Sequence, residues 1–215
     1  RLHVFHISTE KEISLFDNKT PLDKKKITSE ACVHHMWFTD KDYKSKGSFI
    51  KWNPAIKKES DKNSIIDGIN NDLIDIIASD HAPHTLIEKN NSYLNCPSGG
   101  PLVQHTFLAL IDLFHQKKLT LEKIVQKACH NPAILFKIKD RGFIREGYFA
   151  DLVLVDINDQ FLVDKNNILY KCGWSPFEGF CFKSSIKKTM LNGKWVYLDG
   201  KIVKTDAAME LEFYK

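Results

Sequence analysis

Short apolar runs alternate with helix-like patterns along the first 136 residues of the chain. Four of these runs are bounded by polar or turn-forming residues and predict β-strands at residues 2–8, 30–38, 50–55 and 73–79. The fourth run is apolar enough to be buried on both faces, as strands of parallel sheets are. Strands that alternate with helices predict parallel β/α units. A closed β/α barrel needs eight strands, so four predict half of one.

Helices are predicted after these strands, at residues 9–18, 61–71, 103–116 and 120–129. The first begins with Thr9 followed three residues later by Glu12, which fits a capping box, and Ser60 is a candidate cap for the second. A turn is predicted at residues 132–136, where Pro132 interrupts the helical pattern.

Beyond Gly142 the pattern changes to short strands separated by Gly and Asn. Residues 151–156 predict a strand, and residues 189–197 predict a hairpin whose two-residue turn is Asn192-Gly193. We therefore expect an α/β fold with two domains. Residues 1–146 would form the C-terminal half of a (β/α)8 metallo-hydrolase barrel, strands five to eight, and residues 147–215 a small β-rich module.

Composition narrows the function classes. Of 215 residues, 43% are hydrophobic and 27% charged, which is typical of a soluble globular protein. The net charge of +4 is small and spread along the chain, and the basic run 24–26 lacks interleaved aromatic residues, which argues against a nucleic-acid surface. No run approaches the roughly 18 apolar residues of a membrane span, and no signal-peptide pattern is present.

The five cysteines are widely spaced, odd in number and without a Cys-x-x-Cys pair. This pattern argues against a disulfide framework and against a thiolate zinc site, and favours free thiols in a reducing cytoplasm. The chain begins at Arg1 directly in a strand-like run, from which we expect that further sequence precedes it.

Polar side chains stand at the ends of the predicted strands. His6 ends the first, His34 and His35 the second, Asn53 the third and Asp80 the fourth. Each alone has an ordinary structural explanation, such as a hydrogen-bonded histidine or a helix cap, and only one of two neighbouring histidines on a strand can face a site. Their recurrence at the strand ends, where β/α barrels place active sites, favours a metal site of imidazole and carboxylate ligands.

Several segments resemble dihydroorotases of the amidohydrolase superfamily. The likeness runs over nearly the whole chain, at residues 3–9, 31–35, 51–57, 75–84 and 141–153. The most specific segment is Asp-His-Ala-Pro-His at 80–84. Val33 stands where this family usually has Pro, and the segment after Pro54 also departs from the family pattern. Hydantoinases and allantoinases share the leading Asp-His but generally lack the second histidine.

The resemblance implies reversible, zinc-dependent hydrolysis of the cyclic amide of dihydroorotate to N-carbamoyl-aspartate, in pyrimidine biosynthesis. By that likeness, His6 and His34 would ligate one of two zinc ions. Asp80 would bind the other and act as general acid and base. Zinc suits this reaction because it polarises a carbonyl and lowers the pKa of water to about 7.

The resemblance also implies the substrate-binding residues. His84 would bind the substrate carboxylate, Asn53 the ring edge, and the loop at Ser98 and Gly99 would offer backbone N–H groups. His35 would support the site or be structural.

The family's first strand carries a His-x-His pair, and a middle strand carries a bridging Asp or carboxylated Lys. No His-x-His occurs in these 215 residues. The resemblance therefore implies the N-terminal half of the same enzyme as a partner, and a homodimer. Two other functions stay open: a hydantoinase- or allantoinase-like cyclic amidase, and a non-catalytic amidohydrolase-fold subunit that binds a pathway partner.

Overall fold

A parallel sheet precedes an antiparallel region in the computed structural model, which describes all 215 residues. Strands β1 (Leu2–Val4), β2 (Ile27–Cys32) and β3 (Ile76–Ala78) form the parallel sheet in the order β1-β2-β3. Leu2 lies opposite Ile27 in the β1–β2 pair, and Cys32 lies opposite Ala78 in the β2–β3 pair. The carboxyl ends of the three strands therefore lie at one edge of the sheet.

Six short strands follow: β4 (Leu152–Asp156), β5 (Phe161–Leu162), β6 (Cys181–Phe182), β7 (Ser185–Leu191), β8 (Lys194–Leu198) and β9 (Lys201–Ile202). They form an antiparallel sheet in the order β4-β7-β8-β9 and a separate pair β5-β6. The predicted hairpin is confirmed between β7 and β8. Its turn residues Asn192 and Gly193 have φ angles of 49° and 78°, as a type I′ turn requires.

The helices are α1 (Glu10–Ile13), α2 (Val33–Trp37), α3 (Tyr43–Lys46), α4 (Glu59–Asn70), α5 (Leu86–Lys89), α6 (Val103–His115), α7 (Leu121–Val125) and α8 (Asn131–Leu135). The two long helices, α4 and α6, bury apolar faces in a hydrophobic cluster of 24 side chains. Helix α4 packs on α1 and α2, and α6 packs on α2 and α7. This packing holds α2 directly behind the end of β2.

A buried ion pair links the start of β2 to the start of β3. The Lys25 Nζ lies 2.6 Å from Asp75 Oδ1, and the two side chains are only 6% and 5% exposed. The second carboxylate oxygen of Asp75 accepts from the Ser29 N–H, and the Asp75 carbonyl accepts from Asn131 Nδ2. Asp75 thus joins β2 and β3 through its carboxylate and reaches α8 through its backbone carbonyl.

The predicted third strand, residues 50–55, is wrong, so the parallel sheet has three strands. Residues Gly47–Ile50 form a 3-10 turn, and the segment after it pairs with no strand. Pro54 lies in this segment, and a proline has no N–H to contribute to a sheet ladder. The placement of His34 and His35 in a strand is also wrong, because β2 ends at Cys32 and both histidines lie in α2.

Several helix boundaries also differ from the prediction. Helix α1 starts at its Thr9 capping box as expected but ends at Ile13. Ser60 is not a cap, because α4 already begins at Glu59. The predicted helix 120–129 divides into α7 and a π-helical turn, Gln126–His130, and the predicted turn at 132–136 is α8. Pro132 is tolerated there because it occupies the first turn of the helix.

Candidate active site

Three side chains that can ligate a metal meet at the carboxyl edge of the parallel sheet. One ligating atom each of Cys32, His34 and Asp80 lies within 4.8 Å of the other two. Cys32 ends β2, His34 lies in the first turn of α2, and Asp80 follows β3 by two residues. Because β2 and β3 are neighbours with Cys32 opposite Ala78, the chain brings these residues together.

His34 is fully buried and its ring has free nitrogens. Neither Nδ1 nor Nε2 has a hydrogen-bond partner, and Nε2 lies 3.9 Å from Asp80 Oδ2. The ring stacks on Trp52 with centroids 4.5 Å apart and planes inclined by 10°. Burial, followed by the nearby His35 and His6, holds the pKa of His34 well below its usual value. The imidazole is therefore neutral, which is the form that binds metals.

Asp80 is half-buried and has a left-handed backbone, with φ of 46°. Burial raises the pKa of its carboxyl; the His6 imidazole lowers it and the Glu30 carboxylate raises it further. A carboxyl whose pKa is raised is better able to take and return a proton.

His6 stands after β1, also with a left-handed backbone, at φ of 41°. It is not a member of the cluster formed by Cys32, His34 and Asp80. It follows β1 by two residues and therefore lies at the same edge of the sheet, and its imidazole lowers the pKa of both His34 and Asp80.

Sequence reasoning overlooked Glu30 and treated Cys32 as an ordinary buried thiol. The Cys32 Sγ lies 3.9 Å from Glu30 Oε1, and Glu30 Oε2 lies 3.0 Å from His3 Nε2. Burial, Glu30 and Asp80 raise the pKa of the Cys32 thiol well above its usual value. Thr28, Glu30 and Cys32 occupy every second position of β2, and this alternation of polar side chains on one face was the available signal.

The predicted substrate-binding residues lie in two connected loops. His84 is half-buried, and its Nε2 donates to the Ser98 carbonyl over 2.9 Å. Asn53 is exposed. The Gly99 N–H already donates to the Lys51 carbonyl over 2.9 Å, which corrects the expectation that it is open to a substrate. A Cβ on Gly99 would stand 2.6 Å from the Ala82 carbonyl oxygen, so its small size serves loop contact.

The remaining histidines of the two motifs have structural partners. His35 Nε2 donates to the Pro54 carbonyl over 3.0 Å, and burial lowers the pKa of this ring to about 4. His81 Nδ1 accepts from the Leu102 and Val103 N–H groups at the start of α6.

None of the helices has the length and apolar character to cross a lipid bilayer.

Residues 5–196 match the amidohydrolase family. The chain belongs to this family. This amidohydrolase is 36% identical over 197 residues to a dihydroorotase from Acetivibrio thermocellus, covering 91% of this chain and 46% of that protein. It is 32% identical over 203 residues to a dihydroorotase from Pyrococcus abyssi, covering 94% and 47%. The chain spans about half the length of the curated relatives it matches.

Two solved structures share the fold of this chain. An L-hydantoinase from Arthrobacter aurescens superposes with a TM-score of 0.86 at 24% identity, over 95% of this chain and 46% of that one. The inactive dihydroorotase-like domain of a Chaetomium thermophilum multifunctional protein superposes with a TM-score of 0.69 at 17% identity, over 97% and 54%. The family match and these superpositions confirm the predicted α/β amidohydrolase fold.

Proposed function

We propose that this chain is the C-terminal half of a dihydroorotase, which reversibly hydrolyses dihydroorotate to N-carbamoyl-aspartate in cytoplasmic pyrimidine biosynthesis. The observation that carries the proposal is an identity of 30–36% to dihydroorotases over about nine-tenths of the chain. In this proposal, residues 1–146 form half of the family's barrel and residues 147–215 a separate β-rich module.

We assign metal binding to His6, His34 and Asp80, with zinc as the metal and two ions in the complete site. The unpartnered, neutral and buried ring of His34 beside a carboxylate supports this assignment, since such a ring otherwise loses its hydrogen bonds. When bound, zinc supplies a polarised substrate carbonyl and water of lowered pKa.

The chain's own residues then move the proton and hold the substrate. Asp80 accepts a proton from the attacking water and delivers it to the ring nitrogen that leaves. His84 binds the substrate carboxylate through Nδ1, because Nε2 is occupied by the Ser98 carbonyl. The exposed Asn53 amide lies free to bind the ring edge.

The remaining metal ligands come, in this proposal, from the N-terminal half of the same enzyme, and the complete enzyme is a homodimer. Coverage of 46–47% of the dihydroorotase relatives agrees with a contribution of about half the protein.

Replacement of His84 by Ala in the complete, zinc-loaded protein tests the substrate. We expect turnover of dihydroorotate to fall at least about a hundredfold, because a charge-assisted hydrogen bond to the carboxylate is lost, while bound zinc is unchanged. His115→Ala, in a half-buried helix position outside the site, is the control and should keep normal turnover. Undiminished turnover by the His84 variant would refute the assigned role.

Replacement of His6 and of His34 by Ala tests the metal ligands separately. Each variant should lose zinc, measured by elemental analysis against the wild-type protein. If the His34 variant keeps full zinc, the ring serves instead as a packing partner of Trp52, and Cys32 or His6 must complete the shell around Asp80.

Two other functions are favoured by single observations. The TM-score of 0.86 to an L-hydantoinase favours a cyclic amidase without a carboxylate substrate, which would show as turnover of hydantoin or dihydrouracil but not of dihydroorotate. The likeness to an inactive dihydroorotase-like domain favours a non-catalytic subunit, which would show as a folded complete protein that binds no zinc and turns over none of these substrates.

A further inference from the structure

Lys89 is a fully buried lysine whose ammonium group has no acidic partner. It ends α5, its relative exposure is 0%, and no ion pair of the structure includes it. Burying a charge is costly unless hydrogen bonds compensate for the water that is lost. A lysine in this position therefore needs a specific set of acceptors.

Three backbone carbonyls supply those acceptors. The Nζ donates to Gly99 over 2.9 Å, to Pro97 over 3.0 Å and to Lys51 over 3.4 Å. An ammonium group has three N–H donors, so the set is complete. The Nζ also lies 5.9 Å from the centroid of the Trp174 ring.

These carbonyls belong to the two loops that carry the proposed substrate-binding residues. Pro97 and Gly99 flank Ser98, whose carbonyl holds His84, and Lys51 precedes Asn53 by two residues. The Gly99 N–H joins the two loops by donating to the same Lys51 carbonyl.

A second path runs from Lys89 to His84. The Trp174 Nε1 donates to the His84 carbonyl over 2.8 Å, and the Lys89 ammonium lies over the same indole. The backbone of His84 is thus held by Trp174, whose ring the Lys89 ammonium contacts. The side chain of His84 is held by Ser98, whose two neighbours in the chain accept hydrogen bonds from Lys89.

We propose that Lys89 is a positioning residue for the substrate carboxylate pocket: its buried ammonium ties together the loops at 51–53 and 97–99 and so sets where His84 stands. This inference rests on the proposed function, since it assumes that His84 binds a carboxylate. Lys89 touches no substrate in this proposal and acts through the loops.

The primary test is Lys89→Met in the complete, zinc-loaded protein, assayed on dihydroorotate. Met keeps the length of the side chain and removes the charge and the donors. We expect KM to rise about thirtyfold with kcat within about threefold of wild type and zinc content unchanged, because loosened loops weaken substrate binding more than the metal-centred step. Lys127→Met is the control: Lys127 is also fully buried and donates to the Ile74 carbonyl, but it pairs with Asp72 and lies outside the two loops. We expect Lys127→Met to lower the stability of the protein but to leave KM within about twofold of the wild-type value.

A double-mutant cycle with His84→Ala separates positioning from general destabilisation. If Lys89 acts through His84, the double variant is no worse than His84→Ala alone, so the effects are strongly non-additive. Additive effects, or an unchanged KM in Lys89→Met, would overturn the proposal.

The pH profile of the wild-type protein tests the proposal even if Lys89→Met does not fold. Burial lowers the pKa of Lys89 to about 8, and the titratable groups that face it are Cys96, which raises this pKa, and Lys51, which lowers it. KM should therefore rise above pH 8 as Lys89 loses its charge, and a KM that stays flat from pH 7 to pH 9 contradicts the proposal. A wild-type protein that neither binds nor turns over dihydroorotate would instead refute the proposed function.

Discussion

Removal of the Asp75 carboxylate should cost a large part of the stability of the fold. Asp75→Ala leaves the Lys25 side chain buried, at 6% exposure, without its partner at 2.6 Å, and leaves the Ser29 N–H without an acceptor. Breaking a buried ion pair from one side costs about 3–5 kcal/mol. An orphaned backbone donor adds about 1–3 kcal/mol. Relaxation and entering water reduce the sum, so we expect about 4 kcal/mol, against about 5–15 kcal/mol for a whole domain.

Urea unfolding followed by tryptophan fluorescence measures this loss, because Trp52 is buried and reports on the core. The double variant Lys25→Met with Asp75→Asn removes both charges and keeps an acceptor for Ser29. It should recover at least half of the lost free energy of unfolding.

The exposed pair Lys41–Glu59 provides the control. Its side chains are 76% and 54% exposed, so Glu59→Ala should cost less than about 1 kcal/mol. A loss below about 1 kcal/mol for Asp75→Ala, or equal losses for Asp75→Ala and Glu59→Ala, would refute the reasoning from burial.

Three further predictions concern changes at individual side chains. Burial lowers the pKa of His105 to about 4, so the unfolded chain takes up a proton below pH 6.5 and the folded chain does not. His105 should therefore reduce stability by up to about 1.4 kcal/mol for each pH unit between pH 6.5 and 4, and the free energy of unfolding of His105→Gln in urea should fall less steeply than that of the wild type by this amount. Gly99→Ala should raise the KM for dihydroorotate, because its Cβ would stand 2.6 Å from the Ala82 carbonyl oxygen and the backbone has φ of 119°; a KM equal to wild type would contradict this. A thiol reagent should label the exposed Cys181 quickly and the buried Cys32 only after unfolding, as peptide mass mapping would show.

The sequence was a good guide where local chemistry decides the backbone. Asn192-Gly193 predicts a type I′ hairpin, and Thr9 with Glu12 predicts a capping box, because in each case residues a few positions apart determine the conformation. Helix α6 was predicted to within one residue at its end, since its apolar periodicity extends over thirteen residues.

The sequence was a poor guide where a segment is buried throughout. The run 30–38 is apolar enough for either a buried strand or a buried helix, and the change from β2 to α2 at Val33 is set by packing against α4 and α6. The role of Lys89 was also out of reach, because its three acceptors come from backbone carbonyls in two other loops. Backbone groups are the same in every sequence.

The left-handed backbone at His6 and Asp80 has an evolutionary consequence. A residue with a Cβ in this region costs about 1–2 kcal/mol, and glycine adopts it without strain. Under the proposed function, each of these two residues keeps its side-chain chemistry at the expense of folding stability. A descendant released from catalysis could replace either by glycine and relieve this strain in the same step, so loss of the proposed activity would be an easy drift for this fold.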